Sequence, residues 1–179
     1  INDDKTIGGF SRIASIIKNE RELNEGITLV VDAGDFLMGT LFQGTEHKTG
    51  FQLRLMKKMG YDVACLGNHE FDNGPGRLAE IINSSVKGGE IPSLLLSNAV
   101  LDADDPGDDA LEKLFSENIL GKTAIVSRGG LKFGFFSLLG KVADENAAFA
   151  GPVTFSKQSA AARKMVEQGH VDRDERVVL

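Results

Sequence analysis

The chain has 179 residues, a length that favours one domain over two. Its 20 lysines and arginines against 26 aspartates and glutamates give a formal net charge of −6, which argues against a nucleic-acid polymer as partner, because such proteins normally present a basic face. Hydrophobic residues make up 41 % of the chain, enough to bury a core, and 21 glycines beside 4 prolines indicate tight turns rather than a linker.

The sequence carries few signals of compartment. No run approaches the roughly 18 apolar residues of a membrane-spanning helix, so no span is predicted. No charged segment followed by an apolar stretch opens the chain, so no signal peptide is visible, although Ile1 as the first residue leaves a trimmed start open. Cys65 is the single cysteine, which excludes an internal disulfide, and the apolar run 63–66 around it predicts a buried structural thiol rather than a reactive one.

Helix and strand patterns alternate along the first hundred residues. In chain order, the spacing of apolar residues predicts a helix over 8–25, a strand over 27–31, a helix over about 48–59, a strand over 62–66, a helix over 75–86 and a strand over 93–97. Strands that are apolar on both faces and alternate with helices are typical of a parallel sheet covered on each side by helices.

The second half of the chain predicts a change of architecture. Residues 101–109 form an acidic stretch, which we interpret as a solvated surface loop, with a weak calcium site as the alternative, since the ligand spacing of an EF-hand is absent. The remaining elements are a hairpin of 123–126 and 131–139 joined by 127–130, a polar segment 141–151, a strand over 152–155, a helix near 156–168 and the opening of a strand at 176–179. Local pairing in the hairpin makes the predicted sheet mixed.

Polar side chains follow three of the predicted strands. Asp35, Asn68 and Asn98 each come just after a strand, where the polar sites of parallel sheets gather. The strongest signal is residues 67–74, Gly-Asn-His-Glu-Phe-Asp-Asn-Gly, because such a polar cluster is costly to place at a strand end unless something uses it. Asp32 lies three positions before Asp35, so only one of the two aspartates needs to point into a site.

The Gly-Asp pair after one strand and Gly-Asn-His-Glu after the next resemble the calcineurin-like metallophosphoesterases. Longer stretches are similar to the branch that contains 5′-nucleotidases, UDP-sugar hydrolases and 2′,3′-cyclic phosphodiesterases; they are 8–12, 32–35, 66–72, 91–99, 131–136 and 152–155. The resemblance implies an α/β fold in which mixed sheet layers are flanked by helices, an αββα sandwich. Residues 1–179 would then be an incomplete catalytic domain, with no second domain.

The resemblance also implies roles for four residues. Asp35 would bridge two metal ions, and Asn68 would ligate the second ion through its amide oxygen. His69 would stabilise or protonate the phosphoryl transition state and the leaving oxygen, while Asp72 would hold the His69 ring in its working orientation. The chemistry is consistent, because two divalent ions about 3.5–4 Å apart can clamp both oxygens of an in-line displacement.

Each of these residues also has a plainer structural interpretation. Asp35 would cap the following segment, Asn68 would be a left-handed turn residue, His69 would be a satisfied structural histidine, and Asp72 would belong to the turn with Asn73 and Gly74.

Four further polar residues carry weaker signals. Glu70 is interpreted as structural, bonding the amides of the turn, and Asn98 as a turn residue, with lining of the pocket as its alternative. His47 and His170 match no motif and are predicted to lie on the surface.

The family's remaining ligands are missing from the sequence. Its first strand carries Asp-x-His, whereas residues 2–5, Asn-Asp-Asp-Lys, offer no histidine two positions later. Its later strands bring further histidines and a Gly-His-x-His turn, which residues 169–172, Gly-His-Val-Asp, do not match. Asp35 and Asn68 alone are far short of a filled coordination shell, so this chain is expected to bind metal weakly or not at all.

The resemblance predicts metal-dependent hydrolysis of phosphate esters, most of all nucleotides, by a protein to which this chain contributes part of a two-metal site. The alternatives are a non-catalytic fragment or family member that binds phosphate or a protein partner, and an unrelated α/β binding domain with a chance turn. Mixed oxygen and nitrogen ligands do not distinguish Zn, Mn, Co, Fe or Ca. The implied partner is a small phosphate ester, and the implied location is extracellular, periplasmic or at the cell surface; the oligomeric state stays open.

Overall fold

A computed structural model describes residues 9–24, 27–39 and 43–168 together with the strand at 176–177. The helices in these residues are α1 (Phe10–Leu23), α2 (Glu46–Thr49), α3 (Phe51–Met59), α4 (Gly74–Gly88), α5 (Asp109–Ser116), α6 (Lys141–Asn146) and α7 (Gln158–Gln168). The strands are β1 (Val31–Asp32), β2 (Val63–Cys65), β3 (Ser93–Leu95), β4 (Ala99–Val100), β5 (Leu120–Gly121), β6 (Ala124–Arg128), β7 (Leu131–Phe135), β8 (Thr154–Phe155) and β9 (Arg176–Val177).

Four parallel strands form the central sheet in the order β1–β2–β3–β5. The strand order follows the chain, and right-handed crossovers between successive parallel strands place their helices on one face. Contacts between α1 and α3, α3 and α4, and α4 and α5 agree with one such helical layer. The parallel sheet predicted from the sequence is confirmed.

Two smaller sheets make the architecture mixed. β6 and β7 form the predicted antiparallel hairpin, in register from Ala124 opposite Phe135 to Arg128 opposite Leu131, and β9 pairs parallel to β7. β4 and β8 pair antiparallel. The chain is therefore a mixed α/β protein with sheet layers and flanking helices, as the sequence predicts.

The core lies where α4 meets the sheet and the segment around β8. Phe71, Leu78, Ile82 and Leu94 are each at most 2 % exposed. Phe71 meets Phe155 edge to face, with ring centroids 5.7 Å apart and planes 81° apart. Burial of each of these side chains contributes about 1.5–3 kcal/mol, so the turn that carries Phe71 is anchored by packing as well as by polar contacts.

The strands are shorter than the apolar runs that predicted them. The runs 62–66, 93–97, 131–139 and 152–155 pair only over the bounds of β2, β3, β7 and β8, and the run 27–31 pairs only at its last residue, because β1 consists of Val31 and Asp32. β1 is an edge strand whose Val31 is 52 % exposed. An apolar run marks the backbone that can enter a sheet, but pairing extends only as far as a neighbouring strand offers partners.

The helices differ from the predictions in two places. The segment 48–59 is two helices, because Gly50 adopts a left-handed conformation with φ 52° where a side chain would overlap the backbone of Ser85. In α1, Ile17 is buried but Phe10 and Ile13 are 49 % and 37 % exposed, so the predicted apolar face is only partly covered. The ends of the predicted helix, residues 8 and 25, lie outside the described residues.

Two short helices were not predicted. α5 begins at Asp109, at the end of the acidic stretch, and α6 lies in the polar segment 141–151. The helices predicted over 75–86 and near 156–168 are confirmed as α4 and α7. Among the described residues, no helix combines the length and the apolar character needed to cross a membrane.

Candidate functional site

The site is built where β1 and β2 end side by side. Val31 pairs with Val63 and Asp32 with Ala64, so the turns that follow the two strands meet at one edge of the sheet. Gly34, with φ 111°, makes this approach possible, because a Cβ on it would lie 2.5 Å from the backbone nitrogen of Gly67. The two glycines let the loops touch backbone to backbone.

Asp35 occupies an unusual backbone conformation at this contact. Its φ of 66° lies in the left-handed region, which is uncommon for a residue with a side chain and typical of functional turns. The Oδ1 atom of Asp35 accepts a hydrogen bond of 3.0 Å from the backbone N–H of His69. Gly67 packs directly on that carboxylate, since a Cβ there would overlap Oδ1 of Asp35.

Glu70 connects the two turns through hydrogen bonds to their backbone. Its side chain is 3 % exposed, and its carboxylate accepts the backbone N–H groups of Asp35, Leu37 and Gly67 at 2.8, 2.9 and 2.6 Å. Burial raises the pKa of this carboxyl, although the three N–H donors oppose the rise. The interpretation of Glu70 as a residue that bonds turn amides is confirmed.

His69 and Asp72 form a hydrogen-bonded pair in the turn after β2. Nδ1 of His69 lies 2.9 Å from Oδ2 of Asp72, and the two side chains are 35 % and 46 % exposed. The hydrogen bond with Asp72 raises the pKa of His69 above its ordinary value. The ring and the carboxylate therefore lie together, as the resemblance implies, and the roles of the two residues stay a prediction.

Asp32 makes different contacts from Asp35. It is half-buried, and its Oδ1 accepts the backbone N–H of Gly34 at 3.0 Å, which closes the turn before Asp35. Burial raises the pKa of Asp32, and the nearby charge of Asp35 adds to the rise. Only Asp35 of the two lines the cavity described next, in line with the expectation that one aspartate would suffice.

A cavity of about 290 Å³ lies between the two turns and the segment that follows β7. Its wall is formed by Asp35, Asn68, Cys65, residues 136–140 and Ala143. Cys65 was predicted to be a buried structural thiol, but it is partly exposed and lines this cavity, because it is the last residue of β2. Burial raises the pKa of its thiol, and a hydrogen bond with Ser137 opposes the rise.

Asn98 does not line the cavity; it holds one wall in place. It is 1 % exposed, its amide donates to the carbonyl oxygens of Leu139 and Ser156, and its Oδ1 accepts the N–H of Leu139. The structural interpretation of Asn98 therefore holds. Sequence reasoning missed Leu139 and its neighbours, since only the tertiary fold brings the chain after β7 to the ends of β1 and β2.

The donors that could hold a metal ion here are the carboxylate of Asp35 and the amide oxygen of Asn68, which both line the cavity. Oxygen donors of this kind suit hard and borderline divalent cations. Across residues 9–24, 27–39 and 43–168, no group of three or more His, Cys, Asp or Glu side chains is arranged to hold a metal. The two donors thus fit part of a metal site rather than a filled shell.

The remaining candidates lie elsewhere. Residues 102–107 of the acidic stretch are exposed, as expected for a surface loop. His47, predicted at the surface, is half-buried, and its carbonyl oxygen accepts the hydroxyl of Ser84 at 2.8 Å. His170 and the residues around it, 169–172, lie outside the described residues, as does the segment 2–5.

The sequence of the chain is similar to a known protein family and to individual members of it. The model of the calcineurin-like phosphoesterase family matches residues 6–138. A snake venom 5′-nucleotidase of Gloydius brevicauda is 38 % identical over 91 residues, 49 % of this chain and 14 % of that protein. A probable 5′-nucleotidase of Treponema pallidum is 33 % identical over 132 residues, 74 % of this chain and 20 % of that protein.

A solved structure supports the same fold. The 5′-nucleotidase precursor of Thermus thermophilus superposes with a TM-score of 0.74 at 23 % identity, over 96 % of this chain and 31 % of that one. The chain therefore spans between 14 % and 31 % of the length of these three proteins.

Proposed function

The chain belongs to the calcineurin-like phosphoesterase family, and on this basis we propose that it supplies part of the catalytic centre of a metal-dependent phosphoesterase. The observation that supports the proposal is the meeting of Asp35, Asn68 and the His69–Asp72 pair at the carboxyl ends of β1 and β2. Residues 1–179 would be a portion of that catalytic domain.

Asp35 and Asn68 would hold the metal. A carboxylate with two oxygens can bridge two ions, and a neutral amide adds a ligand without further negative charge, which favours entry of an anionic ester. The chemistry that two divalent ions supply in such a centre is polarisation of the phosphoryl oxygens and a lowered pKa for water. The other ligands of a two-metal centre would come from protein beyond the described residues.

His69 would act on the leaving oxygen. Because Asp72 holds Nδ1, the Nε2 atom of the ring is directed away from that pair and is free to carry a proton to a substrate oxygen. In the metal-free chain the hydrogen bond with Asp72 raises the pKa of His69, which favours the protonated form that a general acid needs. Asp72 would orient the ring and stabilise its charge.

The local charge favours a cation between the turns. Asp35 and Glu70 are carboxylates on two touching loops, and Asp32 stands three residues from Asp35. Burial raises the pKa of both Asp32 and Glu70, and the nearby charge of Asp35 adds a smaller, unfavourable interaction between like charges. A bound divalent ion would offset it, so metal binding and the fold of this corner would be mutually stabilising.

The substrates we propose are nucleotides, with other small phosphate esters as close alternatives, because relatives of this chain are named 5′-nucleotidases. The location we propose is outside the cytoplasm, in keeping with a venom protein among the relatives. The competing function is a non-catalytic family member that keeps the fold and binds phosphate or a protein partner.

A rate measurement separates these functions. In a protein that carries this chain with the remaining ligands, we expect Mn²⁺- or Zn²⁺-dependent release of phosphate from AMP, and His69→Ala is expected to lower kcat by roughly 10²–10⁴-fold while the bound metal stays. The 179-residue chain alone is expected to release little phosphate. Equal loss of metal and rate in His69→Ala would contradict the role of His69, and no hydrolysis by the longer protein would favour the non-catalytic function.

A further inference from the structure

One buried carboxylate links both loops of the proposed metal site. Glu70 belongs to the turn after β2, yet its side chain points inward and accepts N–H groups from the loop after β1 as well as from its own turn. The donors in the first loop are Asp35 and Leu37, and the donor in the second is Gly67. Oε2 of Glu70 accepts hydrogen bonds from the N–H groups of both Asp35 and Gly67, so a single oxygen sets the distance between the two backbones.

Packing alone does not explain a carboxylate at this position. A charged residue that is 3 % exposed carries a desolvation cost that an apolar side chain of similar volume would avoid. The three N–H donors offset part of that cost, because hydrogen bonds to a charged group are stronger than those between neutral groups. What these contacts provide, and an apolar side chain would not, is a fixed geometry of the two loops.

The geometry that Glu70 fixes is that of Asp35. With φ at 66°, Asp35 is held in a left-handed conformation that is unfavourable for a residue with a side chain, and its N–H in that conformation donates to Oε2 of Glu70. The same conformation places Oδ1 of Asp35 on the N–H of His69. The bond from Gly67 fixes the residue next to Asn68.

We infer that Glu70 is a positioning residue, whose carboxylate holds the loops after β1 and β2 at the spacing that lets Asp35 and Asn68 serve one metal centre. This inference rests on the proposed metal roles of Asp35 and Asn68. Glu70 itself is buried beneath the loops and contacts their backbone rather than the cavity.

The test compares two ways of damaging the carboxylate with a matched control. Glu70→Gln replaces one oxygen by an NH₂ group, so at least one of the three N–H donors loses its acceptor. Glu70→Asp keeps the charge but shortens the side chain by one methylene. The control is Asp108→Asn, since Asp108 is 0 % exposed and also accepts a backbone N–H, from Asp102, but lies in the acidic stretch away from the site.

The readout is the affinity for Mn²⁺, measured by EPR, alongside thermal unfolding. In a protein that carries this chain together with the remaining ligands, both Glu70 variants are expected to bind Mn²⁺ at least about tenfold more weakly than the unmodified protein, in the range typical of residues that orient metal ligands. Asp108→Asn is expected to lower the unfolding temperature and leave the affinity within about twofold. Retained affinity in Glu70→Asp would show that charge rather than position matters, and would overturn the inference.

A second measurement uses the unmodified chain, so it does not depend on whether a variant folds. In the unmodified chain without metal, the amide protons of Asp35, Leu37 and Gly67 are expected to be protected from hydrogen exchange and to open with one common free energy. Independent or unprotected exchange of the three would overturn the inference. If instead Asp35→Asn leaves Mn²⁺ affinity unchanged while the three amides open together, the proposed metal role of Asp35 fails and the linkage by Glu70 stands.

Discussion

Acidic side chains lie at both ends of β2, but their hydrogen-bond partners differ between the two ends. At the amino end, Asp62 is 8 % exposed and accepts hydrogen bonds from two guanidinium groups, those of Arg21 at 2.9 Å and of Arg128, and from the N–H of Val30. Arg21 comes from α1 and Arg128 from the tip of the β6–β7 hairpin, so this carboxylate joins three elements of the fold.

At the carboxyl end, the acidic side chains meet backbone N–H groups and a histidine. The carboxylate of Asp32 accepts a hydrogen bond from the N–H of Gly34, and that of Asp35 accepts one from the N–H of His69. The carboxylate of Glu70 accepts three N–H groups from two loops. A carboxylate between two arginines is neutralised within the protein, whereas backbone N–H groups orient a carboxylate without neutralising it. The comparison teaches that the donors around a carboxylate, more than its burial, determine whether it locks the fold or remains available to a cation.

The amino end is the place where a single substitution should cost most stability. Asp62→Asn leaves Arg21 and Arg128 facing one another without a counter-charge, and breaking a buried ion pair on one side costs roughly 3 kcal/mol or more. Urea unfolding followed by circular dichroism would measure the loss. Mn²⁺ affinity is expected to stay within about twofold in the folded variant, and a stability loss below about 1 kcal/mol would mean that Asp62 is no such lock.

At the carboxyl end, Gly67→Ala is expected to harm the site more than the fold. The added Cβ overlaps the Asp35 carboxylate and must displace it, so we expect a loss of roughly 1–3 kcal/mol in stability and at least about a tenfold loss of Mn²⁺ affinity. Calorimetric titration with Mn²⁺ and chemical unfolding would measure the two effects.

The matched control for that substitution is Gly76→Ala. Gly76 lies in α4, and a Cβ there meets no atom within 4 Å, so alanine is expected to stabilise the helix by about 0.5–1 kcal/mol and leave metal binding alone. If Gly67→Ala bound Mn²⁺ as well as Gly76→Ala does, the contact between Gly67 and Asp35 would not matter to the site.

The smallest expected effect is on the titration of His69. Its pKa is raised by the hydrogen bond to Asp72, so the protonated ring is favoured in the folded chain. That stabilisation is complete below the ordinary pKa of histidine and is lost as the pH rises through the raised value. Asp72→Asn should shift the His69 titration to lower pH, which an NMR titration of the ring protons of the metal-free chain would detect; an unchanged or higher pKa would contradict the pairing.

The carboxyl end of β2 could be predicted from the sequence because its polar residues are close together in the chain. Asn68, His69 and Asp72 share one turn, and the sequence also predicts that Glu70 bonds the turn amides. Which loops Glu70 would join could not be predicted, since Leu37 and Asp35 reach it only when β1 and β2 pair.

The contacts of Asp62, at the amino end of β2, could not be predicted from local sequence patterns. Nothing in the neighbourhood of Asp62 points to Arg128, which lies 66 positions away along the chain. The same limit explains Cys65 and Leu139, whose places in the cavity wall depend on how the segment after β7 folds over the sheet. Three of the four parallel strands, β1, β2 and β3, were predicted from their apolar runs, whereas β5 was not predicted; the strand lengths depend on neighbours that an isolated run does not reveal.

The central claim is that a cation binds between the turns that follow β1 and β2. Titrating Mn²⁺ into the isotope-labelled chain and following paramagnetic broadening of the amide signals tests it most directly, because broadening falls off steeply with distance from the ion. We expect the amides of Asp35, Gly67, Asn68 and His69 to broaden first, while those around Asp62 and in the stretch 101–109 keep their intensity. Broadening that begins in the acidic stretch, or that is uniform along the chain, would contradict it.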